Sequence, residues 1–258
     1  MAETDPATPT SAPALRPRAR RRLGREDVRR IRLRHRGYRL LLVSIGVMLL
    51  SQPLTNRWPL LSPLTAIGIA LMMLLFLTRY SLLKSRLRLI NGLGIAAIGS
   101  ELLWLLILVS KTSLALHLSI LHLLVWFLFI GTFLIRMARV LMLEPYVTLA
   151  VLLGAAAGYL LIGYLGAFLL HTLLLFRPEA FDLALVSPGF DPSLHPMRAF
   201  PAMVVASLQS LTTSGTEVIR PGDLLSSTGG LVITVAGQLY VAVLIALILG
   251  RFHHRPRS

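Results

Sequence analysis

The residues best suited to chemistry are six consecutive oxygen-rich positions near the C-terminal end, Thr212, Thr213, Ser214, Gly215, Thr216 and Glu217. They follow a short apolar segment at 202–211 and lie between two long apolar runs. Hydroxyl, carbonyl and carboxylate oxygens can replace the hydration shell of a cation. Polar backbone at membrane depth is tolerated only where it is buried in protein or lines a water-filled path. The pattern therefore predicts a cation passage. An ordinary polar turn is the alternative, and it leaves the half-length apolar segment unexplained.

Three charged residues lie within or beside the apolar runs. Glu101 lies inside the third run, where an ionisable side chain needs a partner unless it is close enough to the surface to be hydrated. Arg136 and Arg139 lie three positions apart near the end of the fourth run. We expect one of them to pair with Glu101 inside the membrane. Steep voltage dependence requires more gating charges than two arginines supply, so these residues are better interpreted as signals of membrane orientation.

Residue patterns typical of enzymes are missing from the sequence. The chain has no cysteine, which excludes disulfides and thiolate metal sites. His117 and His122 are five positions apart and do not share a helix face, and neither His-Glu-x-x-His nor Gly-x-Ser-Gly occurs. We therefore expect no enzymatic activity, no cofactor, and no metal other than permeant potassium or sodium ions.

The elements that position these residues are helices of membrane length. Of 258 residues, 55% are hydrophobic and only 14% are charged, whereas soluble domains average about 25% charged. A spanning helix needs about 20 mostly apolar residues. The runs that qualify are 38–55, 59–78, 89–110, 114–135, 147–176 and 229–250. The predicted fold is an all-α membrane protein with six transmembrane helices.

The distribution of basic residues predicts how these spans are oriented. Twelve arginines fall between Arg16 and Arg39, and the net charge of the chain is +15. Basic loops alternate with sparsely charged ones, as six spans with both termini in the cytoplasm require. We expect an integral protein of the plasma (inner) membrane. The N-terminal arginines are predicted to be an orientation signal that also contacts anionic lipid, with no nucleic-acid partner; a dedicated patch for lipid or nucleic acid is the alternative.

The short apolar segment is predicted to be a helix that enters the membrane without crossing it. Residues 177–198 hold four prolines and several charges, which is typical of a loop. Pro201 suits the first turn of a helix. About eleven residues at 1.5 Å each give roughly 16 Å, half of a hydrocarbon core. The C-terminal end of this helix, with its partial negative charge, would point at a cation near the membrane centre.

Residues 147–252 resemble the pore domain of the two-transmembrane (ion-transport-2 type) potassium channel family, within a six-span architecture like that of voltage-gated cation channels. The family filter reads Thr-Thr-Val-Gly-Tyr-Gly-Asp, and the final apolar run looks like the family's inner helix. The resemblance implies a homotetramer in which a re-entrant pore helix and filter loop lie between the fifth and sixth spans. It implies ion ligands at the Thr213 hydroxyl and at the carbonyls of 214–216. It also implies a gating hinge at Gly237, for which close helix packing is the alternative.

Two departures of this chain from the family filter bear on its ion preference. Thr216 stands where the family has Tyr, and Glu217 stands where it has the second Gly. Four Glu217 carboxylates would form a ring that attracts cations. We expect weak discrimination between potassium and sodium, similar to cyclic-nucleotide-gated channels, which carry a Glu just after a Thr-x-Gly.

The predicted organisation has four parts. These are a disordered basic cytoplasmic tail (1–37), a four-helix peripheral transmembrane module (38–143), a pore domain (144–252) and a short cytoplasmic tail (253–258). The predicted function is passive conduction of monovalent cations. A non-conducting membrane scaffold and a secondary transporter are the alternatives, and a transporter would have more ionisable residues near the midplane than Glu101 alone.

Overall fold

A computed structural model describes residues 25–58, 60–80, 87–110, 115–144, 148–182 and 199–253. The described residues are almost entirely helical and contain no strand, only an isolated bridge between Phe181 and Ile219. The distal basic tail (1–24), most of the proline-containing loop (183–198) and the last five residues (254–258) lie outside the described residues.

The α-helices of the described chain confirm the predicted all-α class. They are α1 (Arg25–Ser51), α2 (Leu61–Leu75), α3 (Leu87–Ser110), α4 (Ala115–Leu143), α5 (Leu149–Phe176), α6 (Phe200–Leu211) and α7 (Leu224–His253). A 3-10 turn at Gln52–Asn56 follows α1, a π-helical turn at Phe76–Tyr80 extends α2, and a 3-10 turn at Pro178–Ala180 follows α5. All of the α-helices except α6 contain a stretch long and apolar enough to cross a membrane, which makes six candidate spans in the described chain.

The N-terminal boundary is a correction to the prediction of a disordered tail over 1–37. Helix α1 already begins at Arg25, so residues 25–37 are helical. Arginine has a high helix propensity. The apolar run that follows nucleates the helix, and each residue added at an existing end forms a hydrogen bond without a new nucleation cost. The basic segment therefore extends the first span as one continuous helix.

Helix α5 lies at the centre of the molecule. It packs against α1, α4, α6 and α7. Half of the most apolar stretch of α5 is buried inside the molecule, compared with 22% of the corresponding stretch of α7. Small residues such as Gly154 and Ala157 are buried along α5 and let neighbouring helices approach closely. On the α4 side, Trp126 stacks on Phe168 with ring centroids 5.6 Å apart.

Candidate functional site

Helix α6 lies in a groove between α5 and α7. It begins at Phe200 with a proline in its first turn, close to the start that the sequence predicts. The hydroxyl of Ser207 donates a 2.6 Å hydrogen bond to the carbonyl of Gly163 in α5. A Cβ atom at Gly163 would lie 2.6 Å from Cδ2 of Leu208. The missing side chain therefore lets the two helices approach closely enough for this bond.

The C-terminal end of α6 lies beside the middle of both neighbouring helices. The hydroxyl of Tyr159 in α5 donates to the Leu211 carbonyl at 3.0 Å, and that of Thr234 in α7 donates to the Ser210 carbonyl at 2.7 Å. A Cβ at Gly237 would lie 2.5 Å from Cδ1 of Leu211. Gly237 is thirteen residues, or about 20 Å, beyond the first residue of α7. The end of α6 is thus held near the midpoint of two long helices.

After α6 the chain returns toward the end of α5. The N–H of Arg220 donates to the Ala180 carbonyl at 3.1 Å, and the N–H of Asp182 donates to the Val218 carbonyl at 2.8 Å. Both bonds join the return limb to the segment directly after α5. Helix α6 and residues 212–220 therefore form a hairpin. Residues 212–217 are its tip and the first part of its return limb.

The last four carbonyl groups of α6, at 208–211, all accept hydrogen bonds. The backbone N–H groups of Thr212, Thr213 and Ser214 donate to three of them at 3.0–3.1 Å. The Tyr159 and Thr234 hydroxyls donate to the last two. Because a carbonyl oxygen has two lone pairs, these bonds reduce the acceptor capacity of the helix end without removing it.

Two residues of the predicted filter adopt left-handed backbone. Thr213 has φ of +59° and Gly215 has φ of +79°. Glycine adopts this region readily, whereas a β-branched residue there costs about 1–3 kcal/mol. The Thr213 hydroxyl donates to the Thr212 carbonyl at 2.6 Å. The strained threonine lies within the segment that the sequence analysis predicts to bind cations.

The oxygen atoms of this segment lie at the surface of the single chain. The residues from Thr212 to Gly215 are exposed, Thr216 is half-buried, and Glu217 is exposed. In the described part of the chain Glu217 forms no ion pair. The hydroxyl oxygen of Thr216 accepts a 3.3 Å hydrogen bond from the Val218 N–H. The predicted filter residues are thus contiguous and largely uncovered, and their role as ion ligands stays a prediction.

Charged side chains connect the C-terminal end of α5 to the N-terminal end of α7. Arg177 lies 3.2 Å from the Glu179 carboxylate and 3.6 Å from that of Asp223. Asp223 also caps α7 by accepting the N–H of Ser226 at 2.9 Å. That N–H is the main cause of the lowered pKa of Asp223. The pKa of Glu179 is lowered by its own backbone N–H and then by Arg177.

Gly237 has a packing role in this structure. It is buried, and the Leu211 carbonyl oxygen would lie 3.4 Å from a Cβ at this position, in addition to the close Leu211 side chain. A hinge at Gly237 requires a second arrangement of α7, so that role stays a prediction.

The partner of Glu101 is a correction to the sequence analysis. Its carboxylate lies 3.3 Å from Nε2 of His122, and neither Arg136 nor Arg139 contacts it in the described chain. Helices α3 and α4 are consecutive and pack together, and their connection is short. Glu101 is nine residues before the end of α3 and His122 is seven residues after the start of α4, so the two face each other. Arg136 is fourteen residues further, about 21 Å along α4.

The sequence analysis gave no site role to four residues of this region: Tyr159, Thr234, His122 and His171. The antiparallel register of α3 and α4 would have paired His122 with Glu101. The hydroxyls of Tyr159 and Thr234 gave no signal, because their acceptors are backbone carbonyls distant in sequence.

Comparisons of the chain with protein-family models, curated proteins and solved structures gave no match.

Proposed function

We propose that this chain is one subunit of a tetrameric cation channel whose pore consists of α5, α6, residues 212–217 and α7. The observation that carries the proposal is the end of α6, held at mid-length of two spanning helices with exposed oxygen atoms directly after it. In a membrane, such a helix would enter from one side and stop near the midplane. Polar backbone at that depth is tolerated where it lines a water-filled path. Four copies around an axis would provide such a path.

The exposed face of α7 supports this arrangement. One face of α7 carries four residues at helical spacing, and each of them is exposed in the single chain: Leu231, Val235, Gln238 and Ala242. Gln238 lies next to Gly237, near the middle of α7. A polar amide at that depth is expensive against lipid and is usually directed toward protein or a water-filled cavity. We therefore assign this face to the central axis.

Glu217 sets the expected ion preference. It is exposed beyond the hairpin tip, so four copies would place four carboxylates around the entrance. A carboxylate ring attracts cations of either size. The channel is proposed to conduct potassium and sodium with weak discrimination, passively and without a cofactor.

The peripheral helices and the basic N-terminal helix complete the proposal. Helices α1–α4 would surround the pore domain. Both termini would lie on the cytoplasmic side of a plasma (inner) membrane. The exposed side chains of Arg32, Arg36 and Arg39 would lie near anionic lipid headgroups at that surface.

Reversal potentials of purified protein in liposomes test this function directly. Opposed potassium and sodium gradients are expected to give a potential near zero, because both ions permeate. Glu217→Gln is expected to lower flux several-fold at low salt and less at high salt, since the screening length falls from about 30 Å at 0.01 M to about 3 Å at 1 M. Glu179→Gln, in the loop after α5, is the matched control. Strong potassium preference would contradict the role given to Glu217.

A non-conducting scaffold is the second candidate, favoured by the hydrogen bonds that already occupy every terminal carbonyl of α6. The same liposomes decide between the two. Absence of flux from protein shown to be tetrameric in lipid would favour the scaffold, and a stable monomer in lipid would remove the axis on which the channel depends.

A further inference from the structure

A small cavity lies between the peripheral helices and the start of α6. Its lining includes Glu101 of α3, His122 of α4, His171 of α5 and Phe200, the first residue of α6. The cavity can hold about one water molecule. Ser62, the second residue of α2, also lines it. The cavity therefore brings the titratable groups of three spanning helices to the end of α6 opposite the candidate filter.

The titratable side chains at this cavity are buried, and one has no partner. Glu101 is 3% exposed, His122 is 6% exposed and His171 is 3% exposed. Glu101 and His122 are 3.3 Å apart, and the Ser100 hydroxyl lies 3.2 Å from Nδ1 of His122. Nδ1 of His171 has no hydrogen-bond partner in the described chain. These groups can therefore exchange protons only with one another or with water that enters the cavity.

We propose that Glu101 and His122 form a proton-binding site whose occupancy controls the first turn of α6. Without an added proton, the site is a carboxylate beside a neutral imidazole and carries one negative charge. One proton, taken from water, gives a carboxylic acid beside the imidazole and leaves the site neutral. A buried carboxylate must be hydrogen-bonded or meet positive charge, so the unprotonated form holds the polar groups around it in place, and the neutral form does not.

The start of α6 responds to this charge for an electrostatic reason. No side chain caps the N-terminus of α6, so its free N–H groups present partial positive charge. The Phe200 ring lies 5.6 Å from the His171 ring, which connects this turn to the cavity wall. The negative charge of the unprotonated site attracts the helix end, whereas the neutral site does not. Acidification should therefore loosen the first turn of α6.

The other groups around the cavity do not supply a compensating charge. Tyr164 of α5 also lines the cavity, as do Trp104 and Ser119, whose side chains bond to each other at 2.9 Å. Neither α2 nor α6 contributes a charged residue to the lining. Besides the Tyr164 phenol, His171 is the remaining titratable neighbour, and its protonation would change the charge near the helix end in the same direction.

Infrared difference spectroscopy of the full chain in lipid nanodiscs tests proton binding. Between about pH 8 and about pH 5, the range in which pH-sensing sites change charge, the wild type should gain a carboxylic acid band. The band should be absent in Glu101→Gln and unchanged in Glu179→Gln. A band that persists in Glu101→Gln, or no band in the wild type, would overturn the site.

Hydrogen exchange of the α6 amides tests the coupling. After correction for the intrinsic pH dependence, exchange at the amides of 204–207, whose N–H groups bond to the carbonyls of the first turn, should increase about tenfold on acidification, the ratio that corresponds to one pKa unit of coupling. Glu101→Gln and His122→Gln should each remove the increase, so either variant suffices if the other does not fold. An increase of equal size in both variants would refute the coupling.

The effect of this site on conduction rests on the proposed function, but proton binding does not. A protein that titrates at Glu101 yet carries no ions keeps the site and loses the channel. A protein that conducts without any titration at Glu101 keeps the channel and loses the site.

Discussion

Gly166 offers the sharpest test of how α6 is held. It lies where α5 meets both α6 and α7. A Cβ atom at this position would contact the Ser207 hydroxyl of α6 and would lie 2.8 Å from two carbon atoms of Ile233 in α7. Ser207 is 0% exposed and Ile233 is 3% exposed, so neither has free space to move into. Gly166→Ala must therefore separate α5 from one neighbour or distort a side chain.

The size of the effect follows from two opposing terms. Overpacking of a close-packed interior costs about 1–3 kcal/mol, while replacing Gly by Ala in a helix contributes about 1 kcal/mol of stability. Gly166→Ala is expected to lower the free energy of unfolding by up to about 2 kcal/mol. Gly68→Ala in α2 is the matched control, because a Cβ there has no atom within 4 Å. It should raise stability by up to about 1 kcal/mol.

Reversible unfolding in mixed detergent micelles, followed by circular dichroism, measures both variants against the wild type. A gap of about 1–3 kcal/mol between the two variants is expected from the overpacking term. Equal stability of Gly166→Ala and Gly68→Ala would show that α5, α6 and α7 are not packed as closely as described.

Three further predictions concern single side chains. Tyr159→Phe should lower the free energy of unfolding by about 0.5–1.5 kcal/mol in the same assay, because the Leu211 carbonyl loses its hydroxyl donor; no loss would mean that another donor replaces it. Asp223 has a lowered pKa, so its capping contribution is present above the unfolded pKa and is lost as pH falls through the folded pKa; acid unfolding of Asp223→Asn should be less pH-dependent below about pH 4, and an identical pH profile would contradict this. Gln238→Cys should react with a charged, water-soluble thiol reagent in liposomes and buried Ile233→Cys should not; the reverse order would exclude α7 from the axis as assigned.

The spanning helices and α6 were readable from the sequence because their signals are local. Apolar length gave the spans, and Pro201 with the polar turn after Leu211 bounded the short helix. The partner of Glu101 was not readable from charge alone, since opposite charge suggested an arginine while helix register selected His122. The start of α1 was missed because a dense arginine run resembles a tail by composition, yet it propagates a helix when an apolar span follows.

The hydrogen bonds of Thr212–Glu217 have a consequence for engineering. In the described chain they all run to residues 208–218, whereas the bonds that dock α6 use Ser207, Ser210 and Leu211. The two sets of hydrogen bonds share only the Ser210 carbonyl, which accepts from both Thr213 and Thr234. Under the proposed function, a different sequence grafted at this point would change the ion preference while the surrounding helices keep their attachments to one another.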